Sequence, residues 1–173
     1  MTMTTTTKKT TTTRRKPTVQ KSEERTKLPP NPFVNEILDL VGQQNTKEEK
    51  ISVLQEYGND ALKTILIWNF DSSVISVLPS GNVPYRPNEN PLGTDHSSLR
   101  REHKNLYHFV KGGNDSLSTI RRETIFIQIL ESLHPNEAEI LVLVKDKNLQ
   151  SKYKIDIDLV KEAYPDILWG NRS

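Results

Sequence analysis

The chain contains no cysteine, which removes disulfides, thiolate metal sites and a cysteine nucleophile and fits a reducing compartment. No apolar run approaches the roughly 20 residues that span a bilayer, and the N-terminus has no apolar segment of the signal-peptide kind. The recognisable phosphate and metal signatures are missing too. "KGGND" at 111–115 lacks the Gly-Lys-Ser/Thr ending of a phosphate loop, and neither G-x-G-x-x-G nor H-E-x-x-H occurs. Of the four histidines, His103 and His108 are five apart and face different sides of a helix, which is poor spacing for a shared metal. Asp71, Asp95 and His96 read as caps and loop hydrogen-bonders rather than as a proton-transfer cluster. No catalytic residue, metal or cofactor is expected.

What is present is unevenly distributed. The 173 residues carry a net charge of +2, but residues 1–27 hold eight Lys or Arg against two Glu, a surplus of six positive charges. The remainder is acidic by four. The first 13 residues include nine threonines, and almost nothing up to residue 27 could be buried. Such a segment cannot offset the entropy of ordering, so 1–27 is expected to be a disordered basic arm and 28–173 a single domain. Lys8, Lys9, Arg14, Arg15 and Lys16 are the arm residues suited to phosphates. The arm has no aromatic residue for base stacking.

Periodicity after residue 30 is helical. Asn31 with Pro32 predicts a helix start, followed by Phe33, Ile37, Leu38 and Val41 on one face and Gly42 at the end. Thr46 with Glu49 predicts a capping box for a helix with Ile51, Leu54 and Tyr57 on one face and Gly58 as stop. Asn59 predicts the cap of a third helix, with Leu62, Ile65, Leu66 and Phe70 inward and Trp68 at its edge. Residues 72–78 fit a helical turn or an extended piece equally well. Further on, Ser97 or Ser98 is expected to cap one helix, with Leu99, Leu106, Phe109 and Val110 as its stripe and Gly112–Gly113 as its stop. Ser116 is expected to cap the central helix, whose apolar half holds Ile120, Phe126, Ile127, Ile129, Leu130 and Leu133 and whose polar half holds Arg121, Arg122, Gln128 and Glu131. For 139–144, helix is favoured over strand because His134 and Pro135 supply an N-terminal signal. A short helix ended by Pro165 and a tail docking through Ile167, Leu168 and Trp169 complete an all-α bundle of six or seven helices.

Between residues 78 and 98 runs "LPSGNVPYRPNENPLGTDHSS", with four prolines and two glycines. So long a connection without periodicity is uncommon in a compact domain unless it is functional or disordered. Leu78, Val83, Tyr85 and Leu92 are spaced to dock on helices, proline lowers the entropy lost on ordering, and Gly81 and Gly93 permit turns. The expectation is an ordered strap with Tyr85 and Arg86 near its crest. The tripeptide Arg-Arg-Glu occurs at 100–102 and 121–123. Arg100, Arg101, Arg121 and Arg122 are therefore candidate binding residues that folding could bring into one basic patch.

The succession "WNFDSSVISVLPSGNVPY", "SLRREHKNLYHFVKGG", "RRETIFIQILESLHPNEAEILVLVKDK" and "EAYPDILWG" resembles a family of small uncharacterised proteins of large tailed bacteriophages, the cyanophage-type myoviruses. The similarity runs over about residues 33–170 and leaves out the arm. It implies a bacteriophage protein made in the cytoplasm of an infected bacterial host, or packaged in the virion, and it implies no reaction. The resulting expectation is a non-enzymatic accessory protein that binds a host or phage protein. A nucleic-acid-associated protein using the arm, or a minor virion component, is the alternative.

Overall fold

The computed structural model describes residues 26–91, 94 and 96–172. The arm expected at 1–27 therefore lies almost wholly outside the described residues, as do Leu92, Gly93 and Asp95. Among the described residues seven α-helices succeed one another: α1 (Val34–Gln43), α2 (Lys47–Tyr57), α3 (Asp60–Phe70), α4 (Leu99–Glu102), α5 (Thr119–Ser132), α6 (Pro135–Lys145) and α7 (Ile157–Ala163). Two 3-10 helices, His103–Phe109 and Leu149–Ser151, lie between them, and no strand forms among the described residues. The fold is all-α.

Caps explain most helix starts. The Thr46 hydroxyl accepts from Glu49 N–H at 3.2 Å, and Glu49 Oε2 accepts from Thr46 N–H at 3.2 Å, the reciprocal arrangement of a capping box. Asn59 Oδ1 accepts from Leu62 N–H at 2.9 Å, and Asp156 Oδ1 from Leu159 N–H at 2.7 Å. His134 caps α6 through its Nδ1, which settles 139–144 as helix. At α1 the start differs from expectation. Phe33 is the cap residue, with its N–H bonded to Glu36 Oε2 at 2.8 Å. Asn31 lies outside the helix, and its side chain accepts from Arg100.

The buried apolar side chains make one cluster that draws on every helix. α1 packs on α2, α2 on α7, α3 on α6 and α5 on α6. Leu130 is completely buried, as expected for the inner face of α5. Trp68 is buried as well rather than lying at an edge. Its ring stacks on Phe109 at 6.4 Å and its Nε1 donates to Ser76 Oγ at 2.7 Å.

Three stretches depart from the periodic reading. Residues 98–109 form one turn of α-helix and then a 3-10 helix, not a long α-helix. The chain there runs beside an extended piece at 75–77, where Val77 N–H donates to Phe109 O and Lys111 N–H to Ile75 O. Residues 72–78 are thus the extended alternative. Helix α5 begins two residues late, capped by Ser118. Ile120 consequently sits in a first turn that projects past the core and is 80% exposed. In the tail, Ile167 and Trp169 pack on the core, whereas Leu168 points outward.

Candidate interaction surface

The strap is ordered by side chains that reach it from α5 and α6. Lys145, in the last turn of α6, has a buried side chain. Its ammonium donates to Pro79 O at 2.8 Å, Gly81 O at 2.9 Å and Asp146 Oδ1 at 2.8 Å. The second Asp146 oxygen accepts from Gly81 N–H at 3.1 Å, where the backbone takes φ +92°, a conformation that strains any side chain. Further along, Glu131 Oε1 accepts from Arg86 N–H at 2.9 Å. At the far end Ser132 O accepts from Ser97 N–H at 2.8 Å. Leu78, Val83 and Tyr85 are half-buried against the core. A pocket of about 220 Å³ remains between the strap, at Leu78, Val83 and Pro84, and the α5 side chains Phe126 and Ile127, with Glu123 and Lys145 also in its lining.

Lys147 works in the opposite direction. Its Nζ donates to Trp68 O at 2.7 Å and Asp71 O at 2.8 Å and so caps the C-terminus of α3. Burial lowers its pKa, and the nearby Asp71 charge opposes that shift. Lys147 itself lies in the left-handed region, φ 53°, just past the end of α6. There Lys147 N–H bonds Val144 O and Asn148 N–H bonds Leu143 O, the paired bonds of a Schellman ending. The segment Val144–Lys147 therefore closes its own helix, pins the strap and ends α3.

A second junction forms around Glu137, which is completely buried. Its two carboxylate oxygens accept from Val34 N–H at 3.1 Å and Leu99 N–H at 3.2 Å. One side chain thus satisfies the first helical N–H groups of α1 and α4 from the first turn of α6. Burial pushes its carboxyl up to about 7 against the pull of the two N–H groups. Asp71, also buried, gathers the tail. It accepts from Ser73 N–H and Oγ, from Gly170 N–H at 3.1 Å and from Arg172 Nε at 3.0 Å. Burial alone would raise its carboxyl, but these bonds outweigh it and hold the carboxyl below its ordinary value.

The four arginines that folding could bring into one patch are not all available for it. Arg122 is 8% exposed. Its Nε donates to His108 O at 2.9 Å and its Nη2 to Asn114 O and Leu117 O, both at 3.0 Å. The 108–117 turn folds over it and takes up its hydrogen bonds, so it is a structural clamp. Arg100 donates to Asn31 Oδ1 at 2.6 Å, and only Arg101 and Arg121 are fully on the surface. Tyr85 is not at a crest either: its ring is half-buried, and burial raises its hydroxyl pKa. Arg86 alone of that pair is exposed. Lys8, Lys9, Arg14, Arg15 and Lys16 lie outside the described residues, and no cluster of three or more metal-ligating side chains occurs among the described ones. No helix there is long and apolar enough to cross a membrane.

Sequence reasoning missed the buried charges Lys145, Glu137 and Arg122 and the half-buried Lys147, because a charged side chain is by default placed outside. It also passed over the presentation of Tyr107. This side chain is 49% exposed and belongs to the 3-10 helix that Arg122 clamps. Its ring lies 4.0 Å from that of His108, which Asn114 holds at 3.1 Å. A Cβ on Gly113 would fall 1.9 Å from Tyr107 O, so only glycine lets the turn close against this residue. The Gly-Gly pair was the available signal, and it reads as a plain helix stop.

The described structure is thus a small helical bundle whose buried charges hold irregular chain and helix ends in place. Residues 37–151 match a Family of unknown function (DUF6433), and the chain belongs to that family. No curated protein and no solved structure matches it.

Proposed function

We propose that the chain is a non-enzymatic bacteriophage accessory protein that acts by binding another protein, of host or phage origin. One observation carries this reading. The buried charges Lys145, Asp71 and Arg122 reach backbone groups of the strap, the tail and the 108–117 turn and so fix irregular chain, while Glu137 and Lys147 cap helix ends beside it. Rigid irregular surface on a helical scaffold is a usual form of recognition surface. The phage setting, with the infected cytoplasm or the virion as location, rests on the sequence resemblance.

A photo-activatable cross-linker at Arg86, with a control at exposed Glu48 on α2, tests the reading in infected cells. A discrete product from position 86 and none from 48 is expected. Irradiation that yields no product from either position would remove it.

The nucleic-acid alternative keeps its support in the charge of residues 1–27 and loses the paired arginines, since Arg122 is buried. Binding of that kind would be sequence-indifferent and steeply salt-dependent. Deleting residues 1–27 should abolish it in a gel shift at low salt.

A further inference from the structure

A groove of about 270 Å³ runs between α3 and the 3-10 helix. Its floor is apolar, formed by Ile67, Val74, Leu106 and Val110. Tyr107 forms one wall. Lys104 and Arg172 line it, no carboxylate does, and exposed Lys111 follows Val110 in the chain. Lys104 forms no salt bridge within the described residues, whereas Arg172 is tied to Asp71 and to Leu168 O.

Only four large apolar side chains are exposed among the described residues, and one of them, Tyr107, lines this groove. The exposure of Tyr107 is built in, by the Gly113 close approach, the His108 ring and the Arg122 clamp. Amphipathic tyrosine over an apolar floor is the usual make-up of an interface anchor site.

The occupant follows from charge and shape. The domain beyond residue 27 is acidic overall, so a cationic groove is a local exception that selects anions. The chain's own basic arm is repelled from it. Nucleic acid would supply the charge, but the aliphatic floor suits an apolar side chain better than the polar edges of a base. We propose that this groove binds an acidic peptide segment of a partner protein, with one apolar or aromatic side chain seated on the floor beside Tyr107 and flanking carboxylates meeting Lys104 and Lys111. This names a site and a partner chemistry for the protein-binding reading above and rests on it.

The test uses the full chain and fluorescence anisotropy. The probe is a labelled Asp-Glu-Leu-Phe-Glu-Asp peptide, compared with a Lys-Arg-Leu-Phe-Arg-Lys peptide and oligo(dT). The acidic peptide should bind in low salt and the basic peptide should not. Tyr107→Ala and Lys104→Glu, both at exposed positions, should each lower the affinity roughly tenfold. Equal binding of the basic peptide, or acidic-peptide binding that survives both variants, overturns the groove and leaves protein binding standing. The same holds if the acidic peptide fails to bind while the Arg86 cross-linker captures a partner. Tighter oligo(dT) binding, weakened by the same variants, overturns it in favour of nucleic acid. No peptide binding together with no cross-linked product removes both readings.

Discussion

The helices between Lys47 and Phe70 are started by side chains next to them in sequence, whereas the described residues between Leu78 and Ser98 are held mainly by groups from elsewhere in the chain. Helices α2 and α3 carry local caps, Thr46 with Glu49 and Asn59. The described part of the strap has no ladder of its own. It is held by Lys145 and Asp146 from α6 and by Glu131 and Ser132 from α5. The first region is legible three or four residues at a time, and the second only once partners some fifty residues away in sequence are known. The two should also fail differently. Loss of a cap weakens one helix, whereas loss of an anchor frees a surface and leaves the bundle standing.

The largest effect should fall in the core itself. Leu130 is completely buried on α5, and Leu130→Ala should cost about 2–5 kcal/mol, seen as a single cooperative shift in urea unfolding. A near-neutral result would mean that Leu130 does not belong to the packed core. Next comes Glu137→Ala, which leaves the N–H groups of Val34 and Leu99 without their acceptor and should cost roughly 2–4 kcal/mol. Glu137 also sets a pH dependence. Its folded carboxyl sits at about 7 and its ordinary value is 4.5, so the folded state holds the extra proton between those limits. Its contribution to stability is therefore greatest below about 4.5, declines as the pH rises, and is lost above about 7. Urea midpoints of the native chain and Glu137→Gln, followed through that window, should diverge in this sense. Parallel curves would show that the carboxyl titrates normally.

Lys145→Met probes the strap itself. It removes the donor to Pro79 O and Gly81 O and should cost about 1–3 kcal/mol. Hydrogen exchange should quicken around Gly81 and Arg86 while α2 and α3 keep their protection. Uniform loss of protection would erase the distinction between self-capped and externally held regions. The smallest effect should be Thr46→Ala, about 1 kcal/mol, confined to the start of α2 in the same exchange experiment.

Much of the helical frame could be read directly. The Thr46 box, the Asn59 cap and the His134–Pro135 start depend on residues next to one another, and each forms as the sequence implies. The 3-10 character of His103–Phe109 could not be read, because Leu106 and Phe109 are three apart and satisfy either helix type. The α5 wheel erred at two neighbouring positions for two reasons. Ile120 is outside because the helix begins late, and Arg122 is inside because a loop supplies three carbonyls for its guanidinium. Of the candidate site, the ordered strap was legible from proline, glycine and spaced apolar residues. Its anchors were not, since Lys145 and Lys147 differ from surface lysines only in what surrounds them.

The left-handed backbone of Lys147 carries a consequence for protein engineering. Consensus reasoning would install glycine there, the residue best suited to φ 53° and a standard stabilising exchange at helix ends. Here that exchange would relax one residue and uncap another helix, because the same side chain closes α3 on Trp68 and Asp71. Stabilised versions of this fold should therefore be sought by rigidifying exposed loops, with Lys147 kept fixed in any library.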